Sequence, residues 1–569
     1  MTSVPTPTLP SNQPLTETRD HVSGSRNKLG SSFSIGGDQA EADPLLDEAF
    51  YVSKQFETVV NHDDPRCFIV GRTGTGKSAI LRRLAEISSD KVIRIVPEDL
   101  AMPYITDLDV VARMDELGVD LSLFWKALWR HVMIVEVIRH RYKVDSPETK
   151  ANMLQTLRDR LGRNAGKKQA LAYLDEFEGK FWAETDERVR EITTSLTKRI
   201  EASGEGAASA GFLSGSASAS DSKEVTETER KELARRFQRI VNETQLARLS
   251  KMIEVLDDDV LPSRQDFTYI VIDDLDKDWV DSKLLNDLIL ALLKTVHDLK
   301  RVRNLKVLVA LRTNIFAHLD FGSSSGGQEE KFRSLVLDLQ WDRQNLTNML
   351  NARVRVASRK QSAKYDAIVD LLPNQNPKRG MPLEYILDRT LLRPRDVISF
   401  VRECLAKSEG KGQISWDSIK RAEIPYSTNR LLALRDEWKL NYPGIDHVLE
   451  VFRGAPGRID RDALASILDD CALVLSESSS SGSQWSEAAV RSVLHAGPRD
   501  TWVAKYGRLI RLLFSVGFLG ASWEASRRPV FAIEDELAFA RNTRLAEAEF
   551  FYVARMFHAA LEIDIAAEP

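Results

Sequence analysis

Short apolar runs alternate with segments of helical period in two parts of the chain. Residues 67–70 form an apolar run ending in a glycine-rich turn, 78–87 continue with helical spacing, and 92–96 read as a second strand. Residues 269–272 and 307–311 are two further apolar runs, separated by a helical segment over 282–299. Strands alternating with helices predict an α/β core whose parallel sheet is covered on both faces. Between about 110 and 260 the period changes. Leu233, Phe237, Ile240 and Val241, then Leu249, Met252, Ile253 and Leu256, recur at helical spacing, which predicts long helices. This stretch reads as a helical insertion in the α/β core, or else as a separate helical domain.

Polar breaks divide the chain. Residues 1–30 carry too few large apolar groups to offset the entropy of ordering and read as a disordered tail. Residues 201–223 (EASGEGAASAGFLSGSASASDSK) read as a flexible linker, and 476–483 as a loop. The expected organisation is therefore a core in two parts, 31–110 and 261–360, around an insertion at 111–260 that contains the linker. A helical lid over 361–425 and a mainly helical region over 426–569 follow.

Composition narrows the function. The chain has 569 residues, 43% hydrophobic and 29% charged, with a formal net charge of −5. That balance suits a globular protein and provides no global drive toward nucleic acid. No apolar run approaches the roughly 18 residues a membrane span needs, and no secretory leader opens the chain. The three cysteines, Cys67, Cys404 and Cys471, are widely spaced, which argues against a disulfide framework and suits a reducing cytoplasm. The nine histidines show no metal-ligand spacing, so no zinc site is expected.

The chemistry concentrates at Gly71-Arg72-Thr73-Gly74-Thr75-Gly76-Lys77-Ser78, which satisfies G-x-x-x-x-G-K-[ST]. Glycines let the backbone curl so that N–H groups face phosphates, at a helix N-terminus that favours anions. Gly71, Thr73, Gly74, Thr75, Gly76, Lys77 and Ser78 are thus expected to cradle a nucleotide, with Lys77 on the β- and γ-phosphates and the Ser78 hydroxyl on magnesium. The run 269–272 ends in Asp273-Asp274. Asp273 would hold the metal, and Asp274 would orient or deprotonate the attacking water. Asp276 and Asp278 read as capping or solvated groups. Arg312 and Asn314, at the end of the next strand, are either γ-phosphate sensors or an ordinary strand end. Arg393-Pro394-Arg395-Asp396 opens a helix, either with an arginine reaching the nucleotide from a lid or with an internal ion pair. No guanine-reading N-K-x-D motif is present, which favours ATP over GTP.

GRTGTGKS and VIDDLDKDW, followed by LRTNIF, QWDRQNLTNMLNARV and LLRPRDVISFVREC, resemble a family of bacterial P-loop ATPases related to the STAND and KAP groups of AAA-like NTPases. IGGDQAEADPLLDEAF resembles that family's start and FYVARMFHAALEI its end, so the likeness runs from about Ile35 to Ile563. It implies an AAA-like core, a helical lid and a C-terminal region that includes a winged helix. Lys77 and Ser78 match its Walker A motif, Asp273 and Asp274 its Walker B motif, Arg312 a sensor arginine and Arg395 a second sensor. Such relatives are switches in signalling and anti-phage defence, often as oligomers. This chain lacks the membrane spans common in KAP proteins and carries Asp274 where many AAA-like enzymes have glutamate, which implies slow turnover.

Toward the C-terminus, 509–516 is an apolar-periodic helix broken at Gly517, with two short extended runs flanking Arg527-Arg528-Pro529, as a winged helix would give. Arg508 and Arg511 are too few to mark a DNA-recognition helix. Arg130, His131, Arg139, His140, Arg141 and Lys143 form a basic helix that reads as a solvated face, with nucleic acid as the other candidate. Three functions follow: an ATP-driven regulatory switch acting on an oligomer or a partner effector, a DNA-directed motor or loader, and a nucleotide-binding scaffold with little turnover.

Overall fold

Five short strands form one parallel sheet, and the three central ones are apolar enough to be buried on both faces. The five are β1 (Phe68–Gly71), β2 (Val92–Ile95), β3 (Thr268–Ile272), β4 (Leu305–Arg312) and β5 (Val336–Asp338), in the order β2-β3-β4-β1-β5. β3 is buried at every residue and β4 at every residue but Arg312. Such continuous apolar runs, rather than an in–out alternation, mark a sheet covered by helices on both sides. The computed structural model describes residues 29, 33–97, 120–143, 152, 155–159, 168, 231, 235, 246–275, 282–317, 319, 328–477, 483–524 and 528–565. The tail expected over 1–30, apart from Leu29, lies outside these residues, as do the linker 201–223, Leu233, Phe237, Ile240 and Val241, and Asp276 and Asp278. The chain divides into two units, one of 1–16, 54–71 and 80–338, the other of 17–53, 72–79 and 339–569.

In the first unit the sheet is flanked by α1 (Lys54–Val60), α2 (Lys77–Ile87), α3 (Ser122–Tyr142), α4 (Leu246–Val255) and α5 (Ser282–Leu299). α3 packs against α5, α4, β2 and β3, and Trp125 and Trp129 are wholly buried. The Trp129 indole N–H donates to the Leu288 carbonyl at 3.0 Å, which satisfies the one polar group that ring carries. The basic segment of this helix is a solvated face, as its charge predicts, only in its second half. Arg130 and His131 are buried, and Arg130 pairs with Asp298, which also holds Lys126 at 2.7 Å. Arg139 pairs with Glu136 at 3.1 Å and Arg141 with Asp266 at 2.6 Å, while His140 bonds the Asp90 carbonyl. The helix therefore divides: Arg130 and His131 turn inward, whereas Arg139, His140, Arg141 and Lys143 stay at the surface, where Arg139 and Arg141 have acidic partners.

A buried lysine closes the end of α1. Lys306 on β4 donates to the Thr58, Val59 and Asn61 carbonyls at 3.1, 3.2 and 2.6 Å, and burial pushes its pKa down to about 8. These are carbonyls at the helix end, which no intrahelical N–H satisfies.

The second unit is mainly helical. Its principal helices are α6 (Arg343–Lys360), α7 (Pro382–Leu387), α8 (Pro394–Ala406), α9 (Trp416–Trp438), α10 (Arg461–Glu477), α11 (Gln484–Leu494) and α12 (Trp502–Ser515). Pro394 stands in the first turn of α8, where its missing N–H costs nothing. Asp342, Ser415 and Thr501 cap α6, α9 and α12 through their side chains. Arg353 on α6 pairs with buried Asp43 at 2.7 Å and bonds the Ile35 carbonyl, which ties 35–43 to the helices.

A three-stranded antiparallel sheet, β6 (Ile459–Asp460), β8 (Phe550–Val553) and β7 (Leu519–Ser522), lies in that order in the same unit. α12 runs into β7 through Gly517, whose φ of +81° lets the chain turn. The hairpin expected around Arg528-Pro529 is reduced to a single bridge between Ala521 and Val530, and the true partner of β7 is β8. Pro529 removes a ladder donor there, whereas Phe550–Val553 supplies four consecutive strand-forming residues. Among the described residues no helix is long and apolar enough to cross a membrane. All three cysteines are free and buried.

His62 stacks on Phe267 with ring centroids 3.7 Å apart and planes at 8°. Burial, helped by Arg264, Lys306 and Lys91, pushes its pKa from 6.5 down to about 4. The unfolded imidazole therefore takes a proton before the folded one does. Acid favours unfolding from about pH 6.5 to pH 4 through this group, and no further below that. Between pH 7 and pH 5 the cost is about 1–2 kcal/mol. In urea titrations at those two pH values, His62→Phe should lose less stability than the wild type by that amount. Equal losses would remove His62 as the source.

Candidate functional site

Three strands bring the expected site residues of the first unit to one edge of the sheet. β1 and β3 both pair with β4 in parallel, so all three deliver their carboxyl ends to the same side. Gly71 is in register with Arg312, and Ile272, which precedes Asp273, is in register with Val309. Gly71, Asp273, Asp274, Arg312 and Asn314 thus share the carboxyl edge. Arg312 is half-buried, and Asn314 is buried at the start of the short helix Thr313–Ala317.

The turn after β3 is tight. The Asp273 carboxylate accepts the Asp274 backbone N–H at 2.9 Å, and Asp274 has a φ of +61°. A non-glycine residue in the left-handed region costs about 1–2 kcal/mol, and aspartate tolerates it better than most. Both carboxylates are half-buried, and the chain turns back into the core at Leu275.

In the second unit, residues 72–79 form a curled loop leading into α2. Gly74 and Gly76 have φ of +82° and +97°, which side chains rarely allow. Three donors converge on the Arg72 carbonyl: the Thr75 N–H at 3.3 Å, the Thr75 hydroxyl at 2.8 Å and the Lys77 ammonium at 3.1 Å. The next three carbonyls are held from outside the loop. Thr73 accepts from Arg393 Nη1 at 3.0 Å, Gly74 from the Arg395 backbone N–H at 3.3 Å, and Thr75 from the Trp341 indole at 2.8 Å. The C=O and N–H of a trans peptide point opposite ways. Tethering the Thr73 and Thr75 carbonyls therefore turns the Gly74 and Gly76 amides away from Arg393 and Trp341. Ser78 follows Lys77 in the first turn of α2.

A buried charge cluster holds this loop to the helices. The Glu437 carboxylate, on α9, accepts from Arg72 Nε at 3.5 Å, the Thr73 backbone N–H at 3.4 Å and Arg393 Nη1 at 3.2 Å. Arg72 also donates to the Val516 carbonyl at 2.9 Å. Asp396, wholly buried, pairs with Arg393 at 2.8 Å and Arg430 at 3.2 Å. Burial alone would raise the Glu437 carboxyl, but the Arg72 and Arg393 guanidiniums reverse this and hold it below its usual value. The same balance, with Arg393 and Arg430, keeps Asp396 low. Arg395 is placed differently. A methyl group on Gly74 would lie 2.7 Å from Arg395 Cβ, so the two segments are in direct contact. The ion-pair reading of Arg393-Pro394-Arg395-Asp396 is met by Arg393 with Asp396; Arg395 meets the loop through its backbone N–H and side-chain stem, and its guanidinium donates to the Asp38 carbonyl at 3.4 Å.

Arg72, Trp341 and Glu437 are missing from the residues that motif reading selects. One signal points to Glu437. It lies three residues beyond Leu434 and one before Trp438, so it falls on the buried stripe of α9. A carboxylate there needs a cationic partner. Among the described residues, no group of three or more His, Cys, Asp or Glu side chains gathers to hold a metal ion.

Residues 344–435, from α6 into α9, match the family described as the FunZ-associated C-terminal helical domain. The chain is also similar to the "Putative transposon gamma-delta 80.3 kDa protein" of Escherichia coli (strain K12), with 23% identity over 457 residues. That match covers 75% of this chain and 55% of the relative, so the chain spans about half the length of the curated protein it matches. No solved structure matches it.

Proposed function

We propose that the chain is a magnesium-dependent ATPase of the P-loop, AAA-like kind, working as a regulatory switch whose helical C-terminal region responds to the state of the loop 72–78. The observation that carries this reading is the loop itself. Two glycines at positive φ and outside tethers on successive carbonyls turn amides to one side, at the end of a parallel strand and the start of a helix. A loop of this geometry at a helix start supports the reading of a phosphate cradle. The Asp273–Asp274 pair one strand beyond β4, at the same sheet edge as Gly71, supports it.

The donor set fits magnesium. Ser78 would offer a hydroxyl and Asp273 a carboxylate, and a hard cation of this kind takes one or two protein oxygens and completes its shell with phosphate and water. Magnesium when bound would neutralise charge on the phosphates. Lys77 would bind the β- and γ-phosphates, and Asp274 would orient the attacking water. Arg312, beside β1 in the sheet, would sense the γ-phosphate, and Arg395 would do so from the lid. The pairing of Glu437 with Arg72 and Arg393 supports the switch, because any shift of the loop must break or rebuild buried ion pairs. Under this reading the partner is a second copy or an effector protein, the setting is cytoplasmic, and anti-phage defence or signalling is the role.

The transposon in the name of the E. coli relative favours a second reading, a DNA-directed motor or loader. Against it, Arg130 is buried against Asp298, and Arg139 and Arg141, at the surface, are each paired with a carboxylate.

Lys77→Ala should weaken binding of a fluorescent ATP analogue at least tenfold and abolish phosphate release. Asp274→Asn should retain binding and lose release by a factor of about 100. Wild-type binding and turnover by Lys77→Ala would overturn the reading, and no phosphate release by the wild type in single turnover would leave a scaffold. Stimulation of turnover by single- or double-stranded DNA, weakening steeply with salt, would favour the motor.

Glu437→Gln leaves two buried guanidiniums without their carboxylate and should cost about 3 kcal/mol of stability. Adding Arg72→Gln should restore part of that loss, measured as a coupling in a double-mutant cycle. Additive losses would show that the pair carries no energy.

A further inference from the structure

The C-terminal unit contains a cavity of about 750 Å³ that the nucleotide reading does not use. Its volume lies within the roughly 300–1,000 Å³ of small-molecule sites. Two chemistries meet on its wall. The apolar part includes Leu391, Phe531, Tyr552 and Met556. Leu391, Tyr552 and Met556 are themselves buried, so the apolar lining is held in place by the core.

The polar part is dominated by guanidiniums. Arg343, Arg458, Arg528 and Arg555 line the cavity, against the carboxylates of Asp388 and Glu534. Asp388 is shared three ways, by Arg343 at 2.5 Å, Arg555 at 3.2 Å and Arg528 at 3.6 Å. Arg458 differs from the others. It is half-buried, its guanidinium lies 4.9 Å from the centre of the Phe550 ring, and among the described residues no carboxylate pairs with it. A half-buried cation without an anion, beside an apolar hollow, is an arrangement that an anionic group would complete. The backbone adds a second sign. Leu392 in the cavity wall has a φ of +45°, a left-handed conformation that a leucine adopts only where its surroundings impose it, and such strain gathers at binding sites.

We propose that this cavity binds a small amphiphilic anion: an apolar body seated against Leu391, Phe531, Tyr552 and Met556, with a phosphate, sulfonate or carboxylate paired to Arg458 and Arg528. A hollow of this volume suits a small molecule rather than a protein surface. The charge balance of the wall, four guanidiniums against two carboxylates, selects against a cation.

The test uses the full chain and two dyes that share a ring system, 8-anilinonaphthalene-1-sulfonate and its uncharged counterpart N-phenyl-1-naphthylamine. The sulfonate should bind saturably at one site per chain, and Arg458→Gln should weaken it about tenfold. The same substitution should leave the uncharged dye within twofold. Arg421→Gln, an exposed arginine that does not line the cavity, should change neither dye. Urea unfolding midpoints of both variants, unchanged from the wild type, would show that the fold is intact. The proposal is overturned if the sulfonate does not bind saturably, if Arg458→Gln leaves its affinity within twofold, or if both dyes weaken together.

Discussion

A carboxylate placed where no water reaches it must find a cation, and in the second unit that requirement organises everything around Glu437. It gathers Arg72 from the glycine-rich loop, Arg393 from the start of α8 and the Thr73 amide, while Asp396 pairs the far side of Arg393 and adds Arg430. Three segments distant in sequence are thereby fixed to one another. Because buried ion pairs gain little net stability over apolar packing, such a cluster is better understood as a device that selects one arrangement. The loop's curl depends on it, since Arg393 holds the Thr73 carbonyl and the Arg395 amide holds that of Gly74.

Much of the α/β layer was legible in the chain. Apolar runs at 67–70, 92–96, 269–272 and 307–311 all became strands, within two residues at their ends, and the helix over Ser282–Leu299 agrees at both ends. β5 escaped notice because Val336–Asp338 is too short to show a period. The antiparallel sheet was only half visible, since β7 pairs with a strand nearly thirty residues later and local turn chemistry carries no record of that. The glycine-rich loop, the aspartate pair and the start of α8 were legible because their chemistry is written in adjacent residues. Arg72, Trp341 and Glu437 were not, because what recruits them is proximity across hundreds of positions.

The basic helix α3 shows the same limit from the other side. Its charge is plain in the sequence, but the burial of Arg130 and His131 is not, because Asp298, the acid that receives Arg130, lies far along the chain. Charge along a sequence predicts a solvated face only when the opposite charge is absent from the surfaces that helix packs against.

The left-handed turn at Asp274 bears on the choice of acid at that position. A short side chain can sit close to its own backbone and suits a reversed peptide, whereas glutamate, one carbon longer, has no comparable affinity for that geometry. The smaller residue is then a requirement of the main chain as much as of chemistry. Lengthening it would first have to reshape the bend in which the acid stands.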